Sequence, residues 1–437
     1  MTETSAYRRF LATFGIFTLA AGDLWRYLFS WWGWGAIVVF FLTLTIIELV
    51  KLRVDLRRLP YPLLAFLALI TVSIAWSAYP VASVMGVALT FAATTFAVFL
   101  AVAMDLATFT RVLGLAMRWI LGLSLLFELI VAVFVRRPVL PLWVDYSGLD
   151  KIPAAFYWSR DLLFEGGRIQ GIVGNSNLLA LVALLGAIAF GVQFVSRNAT
   201  RPWSAAWMLV ALVTLLLTRS STVLIAGIVV VVVAVFLVLV RRRGFRGRTA
   251  FYIGGAVIAA GGIVGAIVFR APLLGLLGKS PDLTNRLTIW DKVITLANER
   301  PAFGWGWISY WAPWVEPYDN LVVIKGVHYY QAHDAWIDLY LQVGIVGLVV
   351  FAILVLSTLS RAWGQAIDLG RARSDALGFL PVLIVVALIV HSFAESRLLI
   401  EICFALLVVM AIRTRGGLVP KSAATSAGPA PARVQTP

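Results

Sequence analysis

The chain returns again and again to runs of apolar residues about 20 long, the length an α-helix needs to cross a bilayer. Windows of this kind fall at 10–29, 33–50, 60–76, 81–103, 111–134, 172–195, 203–218, 222–240, 250–269, 335–359, 376–392 and 397–412. A backbone in lipid must satisfy its own hydrogen bonds, so spans this numerous leave an all-α polytopic membrane protein of about 12 transmembrane helices. Only 13% of residues are charged, against about 25% in soluble domains, which excludes an ordinary soluble enzyme. The one cysteine, Cys403, lies in an apolar run and has no partner for an internal disulfide.

Orientation follows from short basic clusters. With Arg8 and Arg9 inside, alternate loops carry Lys51–Arg58, Arg197–Arg201, Arg241–Arg248, Arg361 with Arg371 and Arg373, and Arg413 with Arg415. All fall on one side, as expected for cytoplasmic loops facing anionic lipid. The net charge of +15 is therefore assigned to membrane lipids and not to nucleic acid. The first apolar stretch lacks a signal-peptide cleavage pattern and is expected to be retained. Residues 1–415 read as one integral-membrane domain, and 416–437, rich in Ala, Pro, Ser and Thr, as a disordered cytoplasmic tail.

Two long segments, 135–171 and 270–334, fall outside. The second is dense in aromatics, from Trp305 and Trp307 to Tyr329 and Tyr330, which suit either an interfacial belt or sugar stacking. Most outer arginines, Arg160 among them, read as solvated or locally paired. Arg219 differs: it stands in a tight turn, Thr218-Arg-Ser220, with no acidic residue near it in sequence. It either snorkels to headgroups or awaits an anion such as a phosphate-bearing lipid, which suits a guanidinium fork. Arg286 opens a helical pattern in which Leu287, Trp290, Ile294 and Ala297 share spacing, Thr284 can cap and Pro301 terminates. That pattern reads as an amphipathic helix on the outer leaflet, with Arg286 and Trp290 on one face.

The histidines number three. His391 is expected to pair with Glu395 and Arg397. His328 and His333 flank Tyr-Tyr-Gln-Ala, and His333 stands at the N-terminus of a long helix, whose dipole favours a neutral ring. A neutral imidazole there either accepts a proton from a hydroxyl or merely caps and packs. Two histidines beside Asp334 make no good zinc pattern, and no metal or other cofactor is expected.

Three stretches together resemble the O-antigen ligase and polymerase family of bacterial membrane glycan transferases. They are Arg286-Leu-Thr-Ile-Trp290 with Glu299-Arg-Pro-Ala-Phe-Gly-Trp-Gly306, the histidine-headed helix His333 to Gly347, and Arg168-Ile-Gln-Gly-Ile-Val-Gly-Asn-Ser-Asn177. Trp76–Pro80 and Thr218–Ser220 add weaker matches, so that the likeness covers about residues 70–350. The family usually has asparagine where this chain has Asp334, and often proline where it has Ser176. The resemblance implies a metal-independent, inverting glycosyltransferase at the outer face of a bacterial plasma membrane, with both termini cytoplasmic. Its donor would be a polyprenyl-diphosphate-linked glycan and its acceptor another glycan or lipid. By the same match Arg219 and Arg286 would bind the diphosphate with help from Arg168, and His333 would orient or deprotonate the acceptor hydroxyl. Asn177, Trp290 and His328 are further candidates for lining the substrate site.

The alternative from another class is a transporter or flippase for a lipid-linked glycan. Transporters more often place charged or helix-breaking residues at mid-membrane, in repeats. Here the spans read as nearly charge-free, with polar residues gathered outside, which favours the enzyme.

Overall fold

The structure is a computed structural model that describes residues 5–147, 152–243, 248–268, 286–324, 326–368 and 376–415. Its helices are α1 (Ala6–Ala20), α2 (Gly22–Lys51), α3 (Tyr61–Val72), α4 (Pro80–Val102), α5 (Leu106–Ile130), α6 (Ser176–Ser196) and α7 (Arg201–Thr218). There follow α8 (Ser221–Arg243), α9 (Arg248–Val268), α10 (Arg286–Ala297), α11 (Ala335–Asp368), α12 (Leu380–Ser392) and α13 (Glu401–Arg415). A two-residue hairpin, β1 (Val323–Ile324) with β2 (Val327–His328), is the one sheet among the described residues.

Among the described residues, seven helices are long and apolar enough to span a membrane: α2, α4 to α8 and α11. Two shorter apolar stretches, Tyr61–Trp76 and Ala376–Ser392, accompany them. The chain is thus a polytopic all-α membrane protein. The first expected span, 10–29, is drawn differently. Here α1 ends at Ala20, and α2 begins at Gly22 and bends at Ser30, which adopts φ 64°. Past that bend α2 folds back on α1: Phe14 stacks on Phe41 at 4.1 Å, and Arg8 pairs with the buried Glu48 at 2.8 Å. The tail from 416 and the expected cap Thr284 lie outside the described residues.

The position of each helix follows from its pattern. α13 is apolar all round and nearly every residue from Ile402 to Ile412 is buried, so it forms the centre of the bundle. α2 and α8 instead expose Trp31, Trp32, Val231 and Val232, as lipid-facing helices do. The expectation of nearly charge-free spans does not hold. α5 carries Arg118 and a buried Glu128, and α11 carries a buried Asp338.

The two ends of the bundle differ. At one, Arg413 donates to the carbonyls of Leu100 and Met104 at 2.9 and 2.8 Å, and Arg111 to Asn198 at 2.7 Å. Gln365 donates to the Thr414 carbonyl there at 2.9 Å. Of the short basic clusters, this end holds Arg361, Arg413 and Arg415. At the other lie the turn between α7 and α8, the start of α6 and the start of α11.

α11 is broken at Gly344, with φ 66°. The turn 301–306 docks into the break. Trp305 and Gly306 donate backbone N–H groups to the carbonyls of Leu341 and Gln342, and Ile345 donates to that of Pro301. A Cβ at Gly344 would come within 2.3 Å of the Ala302 carbonyl oxygen, so only glycine permits the approach. The Pro-Ala-Phe-Gly-Trp-Gly sequence therefore satisfies backbone groups that the interrupted helix leaves open.

The late loop has a core of its own. Ile289, Val293 and Ala297 of α10 are buried with Tyr79, Trp311, Tyr318 and Leu341. Of the expected stripe Ala297 is buried and Trp290 half-buried, but Leu287 and Ile294 are exposed, so the buried face is turned toward Ile289 and Val293. The aromatics divide likewise. Trp307, Trp311 and Tyr318 are fully buried and Trp314 is exposed, so several serve as packing and not as a surface belt.

Candidate active site

At the end opposite the basic clusters, three distant segments converge on Glu395. This carboxylate lies in the short connection between α12 and α13 and is 4% exposed. Its Oε1 accepts from Asn177 Nδ2 at 2.7 Å and from Arg286 Nη2 at 3.3 Å. Its Oε2 lies 3.0 Å from His333 Nδ1. Burial by itself would raise the Glu395 carboxyl. The charge and hydrogen bond of His333, with His391 and Arg286, overcome this and hold it down at about 2. A carboxylate can only accept, so Nδ1 of His333 donates to it, and whenever the ring is neutral Nε2 is the nitrogen with the free lone pair.

Each partner is placed by local structure. Asn175 caps α6, accepting from the Asn177 and Leu178 N–H groups, which sets Asn177 in the first turn. Asp334 caps α11, its Oδ1 accepting from the N–H groups of Trp336 and Ile337 at 2.8 and 3.1 Å. His333 precedes the cap, at φ 53°, and turns to Glu395. Arg286 opens α10. The Trp290 indole donates to the Ala332 carbonyl at 3.0 Å, so it fastens α10 to the residue beside His333.

Arg168 donates through Nη2 to Asn177 Oδ1 at 2.7 Å and through Nε to the Thr218 carbonyl at 3.2 Å. Ser220 donates to the same Asn177 oxygen at 2.9 Å. Arg219, between these two contacts, has φ 49°, is exposed, and extends over Gly166. The segment bearing Arg168 is held by Glu128, which accepts from the N–H groups of Gln170 and Gly171 at 2.9 and 2.7 Å and from Ser159 Oγ at 2.8 Å. Gly171 has φ 59° and lies against Ser124, which leaves no room for a side chain.

The cations crowd one another. Burial lowers the affinity of Arg168 for its proton, Arg160 and Arg286 lower it further by repulsion, and Glu395 offsets part of this. Arg160 is also lowered by burial, and its Nε is buried without a hydrogen-bond partner. Arg160 thus sits half-buried near Arg168, neither solvated nor, among the described residues, paired with a carboxylate as expected from sequence. Such a cluster favours a multivalent anion.

Of the residues singled out from sequence, the structure brings Arg168, Asn177, Arg286 and His333 together, with Arg219 at the rim and Trp290 behind. His328 is turned elsewhere, its Nδ1 2.7 Å from the Asp319 carbonyl. His391 does not take the Glu395 or Arg397 side chain: its Nε2 has no partner, and Arg397 pairs with Glu401 at 2.6 Å. Glu395 and Glu128 were missed. Among the described residues no group of three or more His, Cys, Asp or Glu side chains could hold a metal ion.

Residues 205–352, about a third of the chain, match the family model described as O-antigen ligase. Through this stretch the chain is similar to the O-antigen ligases. The match contains Arg219, Arg286 and His333, whereas Arg168, Asn177 and Glu395 lie outside it. No curated protein matches the chain. That similarity, with the seven membrane-length helices among the described residues, fits a multi-pass membrane protein of the kind that handles polysaccharide.

Proposed function

We propose that the protein transfers a glycan from a polyprenyl-diphosphate carrier to an acceptor hydroxyl at the outer face of the plasma membrane, as ligase or polymerase. The observation that carries this reading is the meeting of a His333–Glu395 pair with Arg168, Arg286 and Arg160 at the end of the bundle away from the basic clusters. If those clusters face the cytoplasm, as the positive-inside rule requires, the site and the donor's headgroup share the outer face.

His333 Nε2 takes the proton of the acceptor hydroxyl as its oxygen attacks the anomeric carbon of the donor sugar. The bond from that carbon to the phosphate oxygen breaks, and the electron pair leaves with the lipid diphosphate. Attack opposite the leaving group inverts the anomeric centre. Arg286, Arg168 and Arg219, joined by Arg160, stabilise the charge that grows on the departing oxygens, so fixed guanidiniums supply the positive charge without a metal. Asn177 and Trp290 act behind this front, by joining Arg168 to Glu395 and by anchoring α10.

A transporter would use the break in α11 as a binding site or hinge, but the turn 301–306 already fills it. The deciding experiment gives lipid-linked donor to purified protein in detergent. A lengthened or newly attached glycan is expected, with none from His333→Ala. A wild type that moves donor across a bilayer without altering it would replace this reading.

A further inference from the structure

Glu395 has a property that a plain orienting carboxylate lacks. One oxygen faces the candidate base, while the other occupies a cation that the donor also needs. Arg286, at 3.3 Å, makes the longest of its contacts, and that guanidinium is 20% exposed. Arg286 forms no other side-chain hydrogen bond or ion pair among the described residues. The groups facing Glu395 are His333 before α11, Arg286 on α10, Asn177 on α6, and His391 and Arg397 flanking it along its own segment. Arg168 is tied to it through Asn177.

From this we infer that Glu395 is a positioning residue for His333 and an internal anion that the donor's diphosphate displaces from Arg286. The inference rests on the transferase reading above. Before the donor binds, Glu395 neutralises Arg286, so a partly buried cation is not left bare. When the diphosphate arrives, Arg286 swings to it as one charge-assisted contact replaces another. Glu395 keeps its bonds to His333 and Asn177. Relieved of a competing cation, it becomes a stronger acceptor for the Nδ1 proton, which makes Nε2 more basic. Base strength thereby rises only when a leaving group is in place, and an unloaded site is poorly armed.

The test separates affinity from turnover. Glu395→Gln removes the competing charge and offers His333 an amide N–H, which stabilises the tautomer whose Nε2 is protonated. Inorganic pyrophosphate should then bind the detergent-purified protein ~3–10-fold more tightly, because the cation no longer has to be released first. Glycan transfer should nevertheless fall by ~10²–10⁴ in kcat. A merely structural role would weaken both. Arg286→Ala should weaken pyrophosphate binding, and His333→Ala should leave it unchanged.

Pyrophosphate binding that is unchanged or weaker in Glu395→Gln overturns the exchange, as does wild-type kcat. Should the glutamine variant fail to fold, Glu395→Asp asks the same question. Its carboxylate is drawn back by one methylene, so it should bind pyrophosphate more tightly than wild type and transfer more slowly; wild-type values for either would overturn the exchange. If His333→Ala itself turns over normally, the base reading has failed, which the pyrophosphate measurements distinguish from failure of the exchange.

Discussion

The Asn177 amide donates to Glu395 Oε1 at 2.7 Å, joining residues 218 positions apart in the chain. Its own carbonyl oxygen meanwhile accepts from Arg168 and Ser220. Asn177 is therefore the one link described between the α7–α8 turn and the carboxylate that holds His333. Its two ends need opposite chemistry, acceptor toward the arginine and donor toward the glutamate, which an amide supplies and a carboxylate does not.

Replacing Asn177 by aspartate keeps the shape and puts two carboxylates face to face. Transfer should fall by at least ~10-fold, since a lost charge-assisted contact costs about 1.5–3 kcal/mol. Asn177→Ala should be milder for folding, because it removes a bridge without adding repulsion. Initial rates with lipid-linked donor, beside the melting temperatures of both variants, check the ordering.

The arginines should separate by kinetic signature. Arg286→Ala and Arg168→Ala are each expected to raise KM for the donor by ~10–100-fold, the equivalent of one charged hydrogen bond to phosphate. Arg286→Lys should recover only part of this, because an ammonium keeps the charge and loses the fork. Arg160→Ala should behave like these variants, whereas a solvated surface arginine would leave KM unchanged.

Much of this site was legible because its residues announce themselves locally. Arg168 precedes two glycines and a capping asparagine, Arg219 stands alone in a tight turn, and His333 heads a long apolar helix. Each is a helix-end signal, and helix ends are what periodicity reveals best. Glu395 was not legible in that way. It follows an apolar helix by three residues, and local reasoning gave it to His391, four positions earlier. Its actual partner is 62 positions away, and no periodic pattern encodes that pairing. A signal did exist: a carboxylate flanked on both sides by apolar helices has to be paired to be tolerated. Glu128, within an apolar span, carries the same signal. The face of α10 was misread because Leu287 and Ile294 compete with Ile289 and Val293 for burial. Only the docking of the late loop decides between them.

The pH dependence of stability follows from Glu395 with a definite sign. Its folded value, about 2, lies below the ordinary 4.5, so its contribution is fully present above about 4.5. That contribution is lost as pH falls from there toward about 2. Melting curves of the detergent-purified protein should show wild type and Glu395→Gln converging as pH drops through this window. A gap that stays constant from pH 7 down to 3 would mean that the ionised carboxylate adds nothing to folding.

Glu128→Gln tests how the Arg168 segment is held. Two N–H groups and a hydroxyl converge on this carboxylate. The amide nitrogen of glutamine would face a donor, leaving at least one buried group unsatisfied at a cost of about 1–3 kcal/mol. The loss should be local, because Glu128 holds residues 159–171 and not the bundle. Hydrogen exchange should quicken at Gln170 and Gly171 while α13, at the centre of the bundle, stays protected. Arg168 would lose its fixed position, so KM for the donor should rise with little change in expression. Uniformly faster exchange across α13 would instead show that Glu128 supports the whole fold.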